Sequence, residues 1–137
     1  MEFVGYHNRP KMGYPLEDVQ GFAMLTSKSP FHLKGHHIWV VEGLGSPRQY
    51  YVRQRFLVDD VEASIVDGFD YRFYGTQGVK FDSDVSLRTF DWFSDFMKTV
   101  GNFGIGAQVL SEFVLSEFSS ITGFDASFTL PGGVDAV

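Results

Sequence analysis

Cysteine is missing from this chain altogether. Its absence excludes disulfides, thiolate metal sites and cysteine nucleophiles. Tryptophan is scarce, two residues against 15 phenylalanines, so phenylalanine is the main core filler. Basic residues are outnumbered, 11 Lys and Arg against 17 Asp and Glu, which leaves a net charge of −6. That charge opposes broad binding to phosphates, so any nucleic-acid role must use a local patch or a pocket. No apolar run approaches the roughly 18 residues of a membrane-spanning helix. Met1-Glu2-Phe3-Val4-Gly5 has neither a basic start nor an apolar stretch, so no signal peptide is expected. The expected partners exclude a membrane, and the expected location is cytoplasmic.

With 137 residues, 44% of them hydrophobic, the chain has material for one packed core. The richest stretch is His36-His37-Ile38-Trp39-Val40-Val41-Glu42, followed after Leu44-Gly45-Ser46-Pro47-Arg48 by Tyr50 to Glu62. Both runs read as strands, and the break predicts that they are antiparallel neighbours. The second alternates: Tyr50, Val52, Gln54, Phe56 and Val58 on one face, Tyr51, Arg53, Arg55 and Leu57 on the other. Arg53 and Arg55 on a shared face are candidates for nucleic-acid backbone contact; the plainer reading is an exposed strand face.

Elsewhere, Phe3 to His7 reads as a first strand, and Leu16 to Leu25 as a short helix with Gly21 against it. Phe69 to Tyr74 predicts a strand that turns at Gly75-Thr76-Gln77-Gly78 and pairs back through Val79 to Phe81. Leu87, Phe90, Phe93, Met97 and Val100 recur at helical spacing, which predicts a helix over about 85–100 capped near Asp82-Ser83-Asp84. A second helix is expected from Ala107 to about Ser120, with Leu110, Phe113, Val114 and Phe118 on one side. Within it Val109-Leu110-Ser111-Glu112-Phe113 is duplicated at once as Val114-Leu115-Ser116-Glu117-Phe118. The order of elements predicts an α+β domain with a mixed sheet.

No catalytic motif stands out. His7, His32, His36 and His37 lack metal-ligand spacing, and no H-E-x-x-H occurs, so neither a metal nor a cofactor is expected. Asp59, Asp60 and Glu62 read as a solvated strand end. Gly101-Asn102-Phe103-Gly104-Ile105-Gly106 lacks the lysine and the strand–turn–helix setting of a phosphate loop.

The segment order resembles a PUA-like domain, the superfamily of EVE, YTH, ASCH and SRA modules. The resemblance rests on Phe3-Val4-Gly5-Tyr6-His7; on Lys34-Gly35-His36-His37-Ile38-Trp39-Val40-Val41, similar to the family's glycine-led apolar strand with His36 in place of aspartate; on Tyr51 to Glu62; and on Trp92-Phe93 through Gly106. The late segment is similar to the modified-base-sensing domains of HNH-type restriction systems. The likeness spans residues 1–112. It implies a PUA-like domain at 1–122, with a strongly curved, barrel-like mixed sheet flanked by helices, and a Gly/Pro-containing tail at 123–137.

The function this resemblance implies is recognition of DNA or RNA carrying a modified base, flipped into an aromatic pocket beside the first strand. Its candidate residues are Tyr6, His7, Asn8, Ser27 and Lys28, with Trp39 or Trp92 as stacking planes. Such a reader needs a cavity large enough for a base. Two other readings stay open. One is an ASCH-like small-molecule hydrolase, with Lys28, Glu42 and Tyr51 converging in a cleft. The other is a small acidic protein-interaction or inhibitor module with a closed core.

Overall fold

The structure, a computed structural model, describes residues 1–125. The last part of the expected tail, 126–137, lies outside the described residues. The chain is α+β. Strands β1 (Glu2–Asn8), β3 (His37–Leu44), β4 (Gln49–Leu57), β7 (Gly78–Lys80) and β8 (Gln108–Val109) form one sheet in the order β7-β4-β3-β1-β8. Strands β2 (Phe22–Thr26), β5 (Asp60–Ala63) and β6 (Tyr71–Gly75) form a second, ordered β2-β6-β5. The first sheet is mixed: β1 and β3 run parallel, and its other pairs are antiparallel. Neither sheet closes on itself among the described residues.

Both faces of the larger sheet are covered. Phe3, Met24, Ile38, Val40, Phe56 and Phe73 fill the space between the sheets, joined by Leu16 and Leu33 from two 3-10 turns. Val4, Trp39, Val41 and Val52 face the other way, onto Phe96 of helix α2 (Phe93–Thr99) and Val114 and Phe118 of helix α3 (Glu112–Thr122). A strand buried on both faces needs apolar residues at successive positions. This explains the run Ile38-Trp39-Val40-Val41 in the centre of the sheet.

The predicted pairing of β3 with β4 is present, with one irregularity that matters. Val40 lies opposite Gln54 and Val41 opposite Val52, so Arg53 is an extra residue in a β-bulge. The bulge reverses the alternation. Val52 therefore packs on the helix side while Phe56 packs between the sheets.

Several elements differ from their expectation. The helix expected from Ala107 begins only at Glu112, because Gln108–Val109 pair with β1, and the run Tyr50 to Glu62 divides into β4 and β5, which lie in different sheets. Leu16 to Leu25 is a 3-10 turn at Leu16–Asp18 followed by β2, with Gly21 at φ 72° breaking any helix; pairing with β6 overrides the helical spacing. β6 does not form a hairpin with β7. The chain crosses between sheets at Gly75 and Gly78, where a Cβ would collide with Leu57 and Phe56, and β7 pairs with β4. The helix over 85–100 is divided into a 3-10 turn at Leu87–Thr89, capped by Ser86, and the shorter α2. Phe90 between them is extended, which shifts the buried positions to Leu87, Phe96 and Val100 and leaves Phe93 and Met97 half-buried.

In α3 the duplicated pentapeptide takes two fates. Five residues advance an α-helix by about 140° beyond a full turn. Phe118 is fully buried, and Phe113, its counterpart, is 58% exposed.

Candidate ligand-binding clefts

The centre of the first candidate site is Glu42, 1% exposed near the end of β3. A carboxylate so buried demands donors on both oxygens. Helix α1 (Arg9–Met12) supplies Arg9, presented by a first turn that Asn8 caps by accepting from the Lys11 N–H. Arg9 Nη2 donates to Glu42 Oε1 at 3.1 Å and Arg9 Nε to Oε2 at 3.2 Å. The Leu16 N–H donates to Oε2 at 2.7 Å and Arg53 Nε to Oε1 at 3.0 Å. Burial pushes the Glu42 pKa up, but the Arg9 bonds, the Leu16 N–H and Arg53 outweigh it and hold the carboxyl below its ordinary value. Glu42 is thus an ionised anchor with its acceptor sites taken. It has no capacity left for proton transfer to a substrate.

Beside this clamp opens a cleft of about 250 Å3, lined by Arg9, Leu16, Glu17, Glu42, Arg53, Gln54, Lys80, Phe81 and Asp82. Gln54 is 1% exposed, and its Oε1 has no hydrogen-bond partner among the described residues. Lys80 Nζ reaches the Val19 carbonyl at 3.3 Å. The Arg53 guanidinium lies over the Tyr51 ring, 4.7 Å from its centroid, and its Nη1 donates to the Ser83 carbonyl at 2.8 Å. The site combines cationic donors, the carboxylates of Glu17 and Asp82, one unpaired amide acceptor, and apolar walls from Leu16 and Phe81.

A second cleft lies beside the first strand, between Gly5, Met24, Lys28, Ser29, His32, Phe73 and Gly106, and holds about 50 Å3. That is about a third of the roughly 150 Å3 of an engineered apolar cavity that binds benzene. Met24 and Phe73 of the inter-sheet core form part of its wall, which keeps the cleft small.

Of the sequence-derived residues, Tyr6 and Lys28 both line this small cleft, and the others are dispersed. Tyr6 is half-buried, stacked on Phe103 at 4.5 Å and 7°, with its hydroxyl accepting from Arg48 Nη1. His7 is 3% exposed and hydrogen-bonded to the Tyr14 carbonyl. Asn8 caps α1. Ser27 and Lys28 are exposed on the turn after β2, and Lys28 lines the small cleft. Trp39 has no accessible face: it is fully buried on the helix side, its Nε1 donating to Glu2. Trp92 packs on α3 with its Nε1 donating to Glu117, at the edge of an apolar hollow that also holds Phe96 and Phe113. Of the hydrolase trio, Lys28 lies in the small cleft and Glu42 in the large one.

Arg53 and Arg55 do not share a face, contrary to the alternation. The bulge sends Arg53 toward Glu42. Arg55, 5% exposed, turns to the helix side, where its Nε and Nη2 donate to Glu2 at 2.9 and 2.7 Å. Gln54 went unnoticed as a site residue. Its signal was a polar side chain in the otherwise apolar series Tyr50, Val52, Phe56, Val58.

No family model matches the chain, and neither a curated protein nor a solved structure does. Among the described residues no helix is long and apolar enough to cross a membrane.

Proposed function

We propose that the chain is a nucleic-acid-binding module of PUA-like type that reads a flipped, modified base in the Glu42–Gln54 cleft. The observation that carries this reading is the Gln54 amide. A buried acceptor without a donor costs about 1–3 kcal/mol, and a ligand N–H removes that cost on binding. A glutamine amide is also suited to base edges, where it pairs side by side with a donor and an acceptor. Arg9, Arg53 and Lys80 supply donors for ring nitrogens or carbonyl oxygens. Leu16 and Phe81 offer apolar surface to an alkyl substituent on the ring. Binding by a pocket suits a chain of net charge −6, since affinity then does not depend on many phosphate contacts.

The hydrolase reading is less well supported. Lys80 and Glu42 line the same cleft, but Glu42 already accepts four hydrogen bonds.

The test is a titration of modified and plain oligonucleotides at one salt concentration, using the native chain and Gln54→Leu. The expected result is a preference for a modified oligonucleotide that drops about tenfold in the variant, the worth of one well-placed hydrogen bond. Equal affinity across the panel, or a preference untouched by the substitution, would refute the assignment.

A further inference from the structure

Trp92, Phe96, Val100, Leu110, Phe113 and Val114 line a hollow of about 250 Å3 between α2, β8 and α3. An engineered apolar cavity of roughly 150 Å3 takes benzene, so this one has room for a ring-sized apolar side chain. The polar groups around it are engaged within the chain. Trp92 Nε1 donates to Glu117, Thr99 Oγ1 donates to the Asp95 carbonyl, and Ser111 Oγ accepts from the Val114 N–H. What the hollow offers a ligand is therefore apolar surface. Phe113 adds to it from the exposed side, while its duplicate Phe118 is fully buried. The core takes its ring from the second copy of the pentapeptide, and the first copy keeps its ring at the surface.

The hollow runs along a strand edge. β8 is the outer strand of its sheet and pairs only with β1 among the described residues. Gln108 lies opposite Val4, and the Leu110 N–H donates to the Glu2 carbonyl. Antiparallel alternation then turns the N–H and C=O of Val109 away from β1, toward the edge. Val109, Leu110 and Ser111 also line the hollow, so the edge and the apolar surface are continuous. A strand added at β8 pairs its main chain with Val109 and sends alternate side chains toward the hollow.

The charge around this surface has one sign. Asp95 borders the hollow, and Glu112 opens α3 beside Phe113. Both are exposed, and neither has a Lys or Arg within ion-pair distance among the described residues. Lys98 of α2 does not line the hollow, and from Thr99 to Val137 the sequence has no lysine or arginine. A second copy of the chain would set acid against acid here, which is unfavourable.

We infer that the β8 edge and the hollow beside it bind an extended, cationic segment of another protein. One apolar side chain fills the hollow, the main chain pairs with Val109, and flanking Lys or Arg side chains meet Asp95 and Glu112. The surface is distinct from the Glu42–Gln54 cleft and stands whether or not a base enters that cleft.

The test titrates the full chain with a threonine-based heptapeptide that has phenylalanine at its centre and lysine two residues to either side. In an extended peptide these three side chains share a face. Trp92 fluorescence reports on the hollow, since Trp39 is fully buried. The lysine peptide should bind, and a version with glutamate in place of lysine should bind at least about tenfold more weakly. Phe113→Ala should weaken binding about tenfold, the effect of losing an aromatic anchor. Asp95→Lys should weaken it about threefold and flatten its salt dependence. Both positions are exposed, so neither change disturbs the core. Phe31→Ala, at an exposed phenylalanine against Tyr71, and Gln54→Leu should leave binding unchanged. Failure of the native chain to bind the lysine peptide, equal affinity for both peptides, or an equal loss in Phe31→Ala would overturn the inference. So would a native dimer in sedimentation that Phe113→Ala dissociates, because it would give the surface to a second copy.

Discussion

Glu2 and Glu42 occupy opposite ends of the paired strands β1 and β3 and project from opposite faces of the same sheet. Both are carboxylates bound by arginine. Glu2 accepts from Trp39 Nε1 and from Arg55 twice, against the helix-side core. Glu42 accepts from Arg9 twice, from Arg53 and from the Leu16 N–H, against the inter-sheet core. The difference lies in the partners. The Arg55 side chain is 6% exposed, whereas Arg9 and Arg53 are 32% and 23% exposed and border a cleft. One glutamate neutralises a cation that water cannot reach. The other sets the position of cations that water, or a ligand, can reach.

The comparison predicts that the carboxylate that is itself less buried will cost more to remove. Glu2→Ala strands Arg55 in the core, where the Trp39 and Phe124 rings lie beside its guanidinium. Removing one partner of a buried ion pair costs about 3–5 kcal/mol. Glu42→Ala frees two guanidiniums that can hydrate through the cleft and leaves one amide N–H unpaired, a loss of about 1–3 kcal/mol. Urea denaturation of both variants measures the order. A larger loss for Glu42→Ala would mean that the cleft does not admit water to Arg9 and Arg53.

Much of this frame was legible in the chain, and the misreadings share a cause. Alternation and the Gly45–Pro47 break identified β3, β4 and their pairing, since both signals are local. The bulge at Arg53 was not legible, because an extra residue shows only against the partner strand. That single residue moved Arg55 away from Arg53 and undid the basic face. The β6–β7 hairpin failed likewise: Gly75 and Gly78 mark a sharp path, but not which sheet it leads to. Helical spacing named Leu87 and Val100 correctly and missed Phe96, because extended Phe90 resets the phase. At the site, Gln54 was visible as a polar interruption.

A smaller effect comes from acid. Glu42 has its pKa lowered in the folded chain, because Arg9, the Leu16 N–H and Arg53 outweigh burial. A depressed folded pKa contributes stability that is fully present above the unfolded value, near 4.5, and lost as the pH falls through the folded value. The unfolding midpoint in urea should therefore decline below about pH 4.5, and Glu42→Gln should make that decline shallower. Identical pH profiles for native and variant would mean that Glu42 does not titrate differently on folding.

The smallest expected change runs in the opposite direction. Gln54 sits opposite Val40, beside a core of Ile38, Phe56 and Val58, and carries a buried oxygen with no donor among the described residues. Leucine has a similar volume and no polar atom to leave unpaired. Replacing an unsatisfied buried polar group with an apolar one of like shape is neutral to stabilising. Gln54→Leu should therefore raise stability by about 1 kcal/mol, the lower end of that desolvation cost. The same variant should lose discrimination among bases in the titration. Stability gained together with recognition lost is the pattern of a residue kept for a ligand rather than for the fold. A loss of more than about 1 kcal/mol on this substitution would show that the amide is satisfied in solution, and would leave Arg9, Arg53 and Lys80 as the cleft's remaining means of recognition.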